Sequence, residues 1–152
     1  MIYVLTLLIG IVAGLRAMTP LAAVSWAAWA RVLPLDGSLL AFLGYRWTPW
    51  VLTLVALGEF VTDQLPNTPS RKVPVQFGTR ILIGAICGAA LALPVASWMI
   101  GALLGAAGAV IGTLGGAAAR TRLATMFGRD CPAALIEDAV AVVAAVLIVR
   151  AV

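Results

Sequence analysis

The residues able to do chemistry are few, and they sit among apolar neighbours. Glu59 and Asp63 are four apart, Arg16 lies in a long apolar N-terminal run, Arg80 opens another run, and Glu137 and Asp138 are adjacent near the start of the last. Carboxylates at i and i+4 share a helix face one turn apart, and two so close and partly out of water repel each other, which makes the pair a candidate proton acceptor. An ionised group at the depth of Glu59, twelve residues past Trp47, costs roughly 2.5–3.5 kcal/mol in hydrocarbon unless it is paired or hydrated. The economical arrangement is one buried network of Arg16, Glu59 and Arg80, joined by Glu137 or Asp138. Such pairs can simply fix helix register. The favoured reading is a polar site or pathway, selecting an anion through arginine, a cation through carboxylates, or relaying protons through Glu59.

Other chemistries lack their parts. The chain has no histidine, the commonest metal ligand and general base. Its two cysteines, Cys87 and Cys131, form no CxxC pair. Ser25, Ser70 and Ser97 therefore have no histidine to activate them. The glycines lie inside apolar runs rather than after a strand, so no phosphate-cradling loop is expected. No metal or cofactor is expected, and an enzymatic role is disfavoured. The net charge of +4 is read as the basic flanks of membrane spans and not as a nucleic-acid surface.

The elements that position these residues are membrane helices. Of 152 residues, 63% are hydrophobic and 11% charged, against about a quarter charged in an ordinary soluble domain. Mean hydropathy is +1.10. A span takes about 20 apolar residues, so one all-α bundle of five to six transmembrane segments is expected, with no separate soluble domain. The apolar start lacks a basic n-region and reads as mature structure. Segment one runs from Met1 to about Arg31, too long for one straight crossing. Within it, Pro20 would clash with the carbonyl of Arg16, which predicts a broken helix around Gly14, Arg16, Thr19 and Pro20. Segment two covers about 47–65, with Trp47 and Trp50 at the interface. Segment three covers about 76–96, segment four about 98–127 and segment five 132–152, whose first two turns hold Glu137 and Asp138 where a helix dipole favours carboxylates.

Small residues recur at four-residue spacing: Gly84 and Gly88, Gly101 and Gly105, then Gly108, Gly112 and Gly116. This lets helix backbones approach closely in lipid, within one chain or, as the sharper alternative, in a dimer. Each half, 1–66 and 76–152, has a glycine-rich helix ending in arginine and a later helix bearing a carboxylate, an outline compatible with an inverted repeat. Lys and Arg near span ends favour the side of the 64–79 and 120–131 loops, six against three, which places those loops in the cytoplasm. Ser70, Arg71 and Lys72 read first as an ordinary positive-inside loop, and second as a contact for a lipid phosphate. Arg120, Arg122 and Arg129 read the same way.

The stretches Gly14-Leu15-Arg16-Ala17-Met18-Thr19-Pro20 and Glu59-Phe60-Val61-Thr62-Asp63-Gln64-Leu65-Pro66 resemble a family of small bacterial membrane proteins catalogued as domain of unknown function 4126. Pro69-Ser70-Arg71, Arg80-Ile81-Leu82-Ile83-Gly84-Ala85 and Ala134-Leu135-Ile136-Glu137-Asp138-Ala139 extend the resemblance over essentially the whole chain. Gln64 departs from it, since many members are expected to have lysine there. The resemblance implies a helical bundle of the inner membrane and supplies neither reaction nor substrate.

The leading expectation is a small transporter or channel-like protein, a homodimer in contact with membrane lipid. Its intramembrane site for a small ion or solute is expected to comprise Arg16, Glu59, Asp63 and Arg80, with Glu137 and Asp138 at a cytoplasmic mouth and protonation of Glu59 as a candidate coupling step. The alternatives are an integral membrane enzyme acting on a phosphorylated lipid, with carboxylates holding magnesium or acting as base, and an accessory subunit packing through its glycine stripes on a larger complex.

Overall fold

Pro20 has no N–H to donate and cannot sit inside a helix, but it is tolerated in a first turn where that N–H has no partner to lose. The chain uses this. In a computed structural model, which describes residues 1–62, 73–95, 97–128 and 130–152, helix α1 (Ile2–Leu15) stops at Arg16 and α2 (Met18–Trp29) begins two residues later. Arg16 is extended, at φ −139° and ψ 117°, and Pro20 is the third residue of α2. The expected break is present where the proline requires it.

Four more α-helices follow among the described residues: α3 (Thr48–Thr62), α4 (Pro74–Ala92), α5 (Trp98–Phe127) and α6 (Asp130–Arg150), with a short 3-10 turn at Ala41–Gly44. There are no strands among the described residues. Pro74 opens α4 in the first turn, and Gly128 closes α5 in the left-handed conformation at φ 65°. Among the described residues three helices are long and apolar enough to cross a membrane, Pro74–Ala92, Trp98–Met126 and Pro132–Arg150, while Ile2–Leu15 and Thr48–Thr62 are apolar but shorter. At 1.5 Å per residue, α1 reaches about 21 Å and α5 about 45 Å, against a hydrocarbon core of about 30 Å. The chain is thus an all-helical membrane bundle, built from long spans and shorter apolar pieces.

The glycine stripes pack α1, α4 and α5 together. A side-chain carbon added at Gly84 would lie 2.6 Å from the Gly105 carbonyl oxygen, and one at Gly10 or Gly88 would overlap the carbonyl of Gly105 or Gly101. Leu7 and Ile11 lie against Gly108 and Gly112, and Leu15 against Gly116, so α1 runs parallel to α5. Gly84 opposite Gly105 and Gly88 opposite Gly101 make α4 antiparallel to both. The stripe packs these three helices against one another inside the chain, the first of its two readings.

Helix α2 has other neighbours, chiefly α3, α6 and the 3-10 turn. It runs antiparallel to α3, with the Trp26 indole N–H donating to Thr53 Oγ1 (3.0 Å) and stacking edge-on against Trp50 (4.9 Å between ring centroids). Ser25 ties it to the following loop by donating to the Leu43 carbonyl at 2.5 Å. At the end of α2, Val32 N–H bonds to the Ala27 carbonyl (2.9 Å) and Arg31 N–H to the Ala28 carbonyl (3.1 Å). That pairing is a Schellman cap, whose left-handed position is usually glycine. Arginine fills it here, at φ 59°. A side chain in that conformation costs about 1–2 kcal/mol.

Candidate functional site

A broken helix leaves N–H groups unpaired on one side of the break and carbonyls unpaired on the other. Each set has its own side chain. Glu59, fifteen-residue α3's twelfth position, accepts from Ala17 N–H through Oε1 and from Met18 N–H through Oε2, both at 2.9 Å. The carboxylate thus caps the positive end of α2. Arg80 of α4 serves the opposite end, its Nη1 donating to the carbonyls of Gly14 (2.8 Å) and Leu15 (2.6 Å) at the negative end of α1. The two caps are themselves an ion pair, Arg80 Nη2 to Glu59 Oε1 at 3.6 Å. Thr113 on α5 adds a third contact, its hydroxyl donating to the Ala109 carbonyl at 2.8 Å and lying 3.2 Å from that of Gly14.

Arg16 occupies the break. It is fully buried, paired with Asp138 of α6 at 2.5 Å, and its guanidinium carbon stands 5.6 Å from the ring centre of Phe60. Glu137, the neighbour of Asp138, turns instead to Arg120 of α5 at 3.8 Å. Three pairs therefore bring α3, α4, α5 and α6 to the break in the first helix. Thr19 adds a buried hydroxyl, one residue past the capped N–H groups, with no hydrogen-bond partner among the described residues.

Of the residues singled out in the sequence, Arg16, Glu59, Arg80 and Asp138 meet here, and Gly14, Thr19 and Pro20 form the break. Asp63, Ser70, Arg71 and Lys72 lie outside the described residues. Helix α6 begins at Asp130, two residues before the sequence boundary, so Glu137 and Asp138 are its eighth and ninth residues and lie in the third turn rather than the first two. Arginines, rather than the helix end, compensate those carboxylates. Arg120 is not the loop charge its place near a span end suggests; its side chain is only 16% exposed and belongs to the network. Its spacing of one α5 turn past Gly116, on the face that meets Glu137, is the signal that could have found it. Phe60 and Thr113 carried no sequence signal beyond lying in apolar runs. Among the described residues no group of three or more Cys, Asp or Glu is placed to hold a metal.

Fold and site together define a polytopic helical membrane protein whose first helix is broken and capped from within by an acidic and a basic side chain. The chain belongs to the family described as domain of unknown function (DUF4126), whose profile matches residues 3–151. No curated protein and no solved structure matches it.

Proposed function

We propose that the chain is a small transporter or channel-like protein that binds an ion or small polar solute at the break between α1 and α2. The observation that carries this reading is the pair of opposed caps: Glu59 on the N–H groups of α2, and Arg80 on the carbonyls of α1. Paired half-helix ends inside a bundle are a recurrent way to bind ions and charged solutes in lipid. Here both ends carry side chains that can exchange places with a ligand of matching charge. The unpartnered Thr19 hydroxyl supplies a spare polar contact beside them. Three ion pairs make the region polar enough to hold water, and ionisable groups at this depth are costly unless they serve such a purpose.

The glycine-locked trio α1, α4 and α5 is the rigid frame in this reading, and α2 with α3 is the unit that moves against it. Three helices precede residues 63–72 and three follow, as an inverted repeat would require. The protein works as a homodimer in an inner membrane, with the 64–79 and 120–131 loops on the cytoplasmic side, as the excess of basic residues there favours.

A second reading has one observation of its own. The same pairs satisfy each other across four helices, which suits a structural joint that fixes register. Proteoliposomes loaded with potassium chloride and a pH-sensitive dye separate the two. Transport predicts ion or proton flux that falls at least about tenfold in Glu59→Gln, a charge-neutral change at an intramembrane ionisable site. A joint predicts no flux in either protein.

A further inference from the structure

The connection between α2 and α3 carries a second polar feature, remote from the break. Loop 30–47 folds over the end of α2 and leaves an open cleft of about 350 Å³, lined among others by Trp29, Arg31, Asp36, Tyr45 and Arg46. Trp29 and Tyr45 of its lining are exposed, as are Trp47 and Trp50 where the loop enters α3. Aromatic rings gathered in this way sit at the depth of lipid headgroups.

The charges in the cleft have a pattern. Arg31, Arg46 and Asp36 all line it, and Arg31 Nη1 meets Asp36 Oδ2 at 3.4 Å with both side chains about four-fifths exposed, 82% and 80%. An ion pair so exposed holds its partners weakly and is readily exchanged. Arg46 lies 5.5 Å from the ring centre of Trp47, which holds the base of its guanidinium against the aromatic surface. Arg31 is the telling residue. It stands at the cap position where glycine would be free of strain, at φ 59°. A helix end needs no arginine there. Strain kept at a cleft rim points to a use for the side chain.

We infer that this cleft binds a zwitterionic phosphate ester, a phosphate carrying an ammonium group, as in the headgroup of phosphatidylethanolamine. Arg31 and Arg46 take the phosphate, since planar guanidinium groups match its oxygens. Asp36, released from Arg31, takes the ammonium. The aromatic rim favours a lipid as the source, and soluble phosphoethanolamine offers the same chemistry. The site is distinct from the break and does not depend on transport there.

The test uses the full chain in detergent micelles, with intrinsic tryptophan fluorescence reporting titrations of short-chain phosphatidylethanolamine, short-chain phosphatidylglycerol and phosphoethanolamine. Saturable binding is expected, tighter for the ethanolamine lipid than for the glycerol lipid. Arg31→Gly relieves the cap, so its unfolding temperature equals or exceeds that of the parent, while its affinity falls at least about tenfold through loss of a charge-assisted contact. Asp36→Asn abolishes the preference for ethanolamine and keeps phosphate binding. Equal affinity for lipid and soluble ligand assigns the source as the phosphate ester alone; much tighter lipid binding assigns the membrane. Unchanged affinity in Arg31→Gly, or an ethanolamine preference that survives Asp36→Asn, overturns the proposal, as does the absence of saturation in the parent.

Discussion

Glu59 and Arg80 stand 3.6 Å apart, yet each holds a different half of the broken first helix. Glu59 takes the N–H groups that open α2, and Arg80 takes the carbonyls that close α1. One ion pair thereby completes both ends of the break, and each partner neutralises the charge that the other brings into the bundle.

Removing the carboxylate should expose this dual role. Glu59→Ala strips both acceptors from α2 and removes the carboxylate that pairs with Arg80. A loss of about 2–3 kcal/mol is expected, in the range of a lost cap with charge-assisted hydrogen bonds. Glu59→Gln keeps one acceptor and should lose less than half as much. Denaturant unfolding in detergent, followed by far-UV circular dichroism, measures both.

Arg16 and Asp138 form a pair enclosed on both sides, so their energies should not add. Asp138→Ala removes a buried carboxylate that pairs with Arg16 and should cost about 3–5 kcal/mol. The double change Arg16→Met with Asp138→Leu removes both charges and should cost less than Asp138→Ala alone. A double-mutant cycle on unfolding free energies reads the coupling. Additive losses would mean that the two do not depend on each other.

The glycines divide by position. Gly105→Ala drives a carbon into the Gly84 carbonyl, a backbone group that cannot turn aside, and should destabilise by about 1–3 kcal/mol or more. Gly115→Ala meets nothing within 4 Å and should be neutral or stabilise by up to about 1 kcal/mol through helix propensity. Thermal unfolding of the two single variants separates packing from propensity.

Much of this was legible in the residues. Pro20 fixed the place of the break, because a proline four residues after Arg16 leaves that carbonyl without a donor. The glycine spacing gave the close contact of α4 and α5 in kind, though not that α1 joins it through Gly10 and Gly14. The isolated charges Arg16, Glu59, Arg80 and Asp138 marked the site, since each needs a partner in lipid. Their pairing was not legible. Which arginine meets which carboxylate depends on the order of helices around the break, and no local pattern encodes that order. Arg120 was missed for the same reason, since a charge near a span end reads as solvated until a neighbouring helix is seen to cover it. The strained cap at Arg31 was also invisible, as it depends on where α2 ends.

The central claim is that the break is a site reached by solute and not a sealed joint. Thr19, buried beside the capped N–H groups, reports on it directly. A Thr19→Cys variant with both native cysteines changed to serine, reconstituted in vesicles and treated with a charged, membrane-impermeant methanethiosulfonate reagent, measures access to the break. Labelling from one face, slowed by Glu59→Ala or by a competing permeant ion, is the predicted result. A thiol that stays unlabelled from both faces while the protein remains folded would contradict the account.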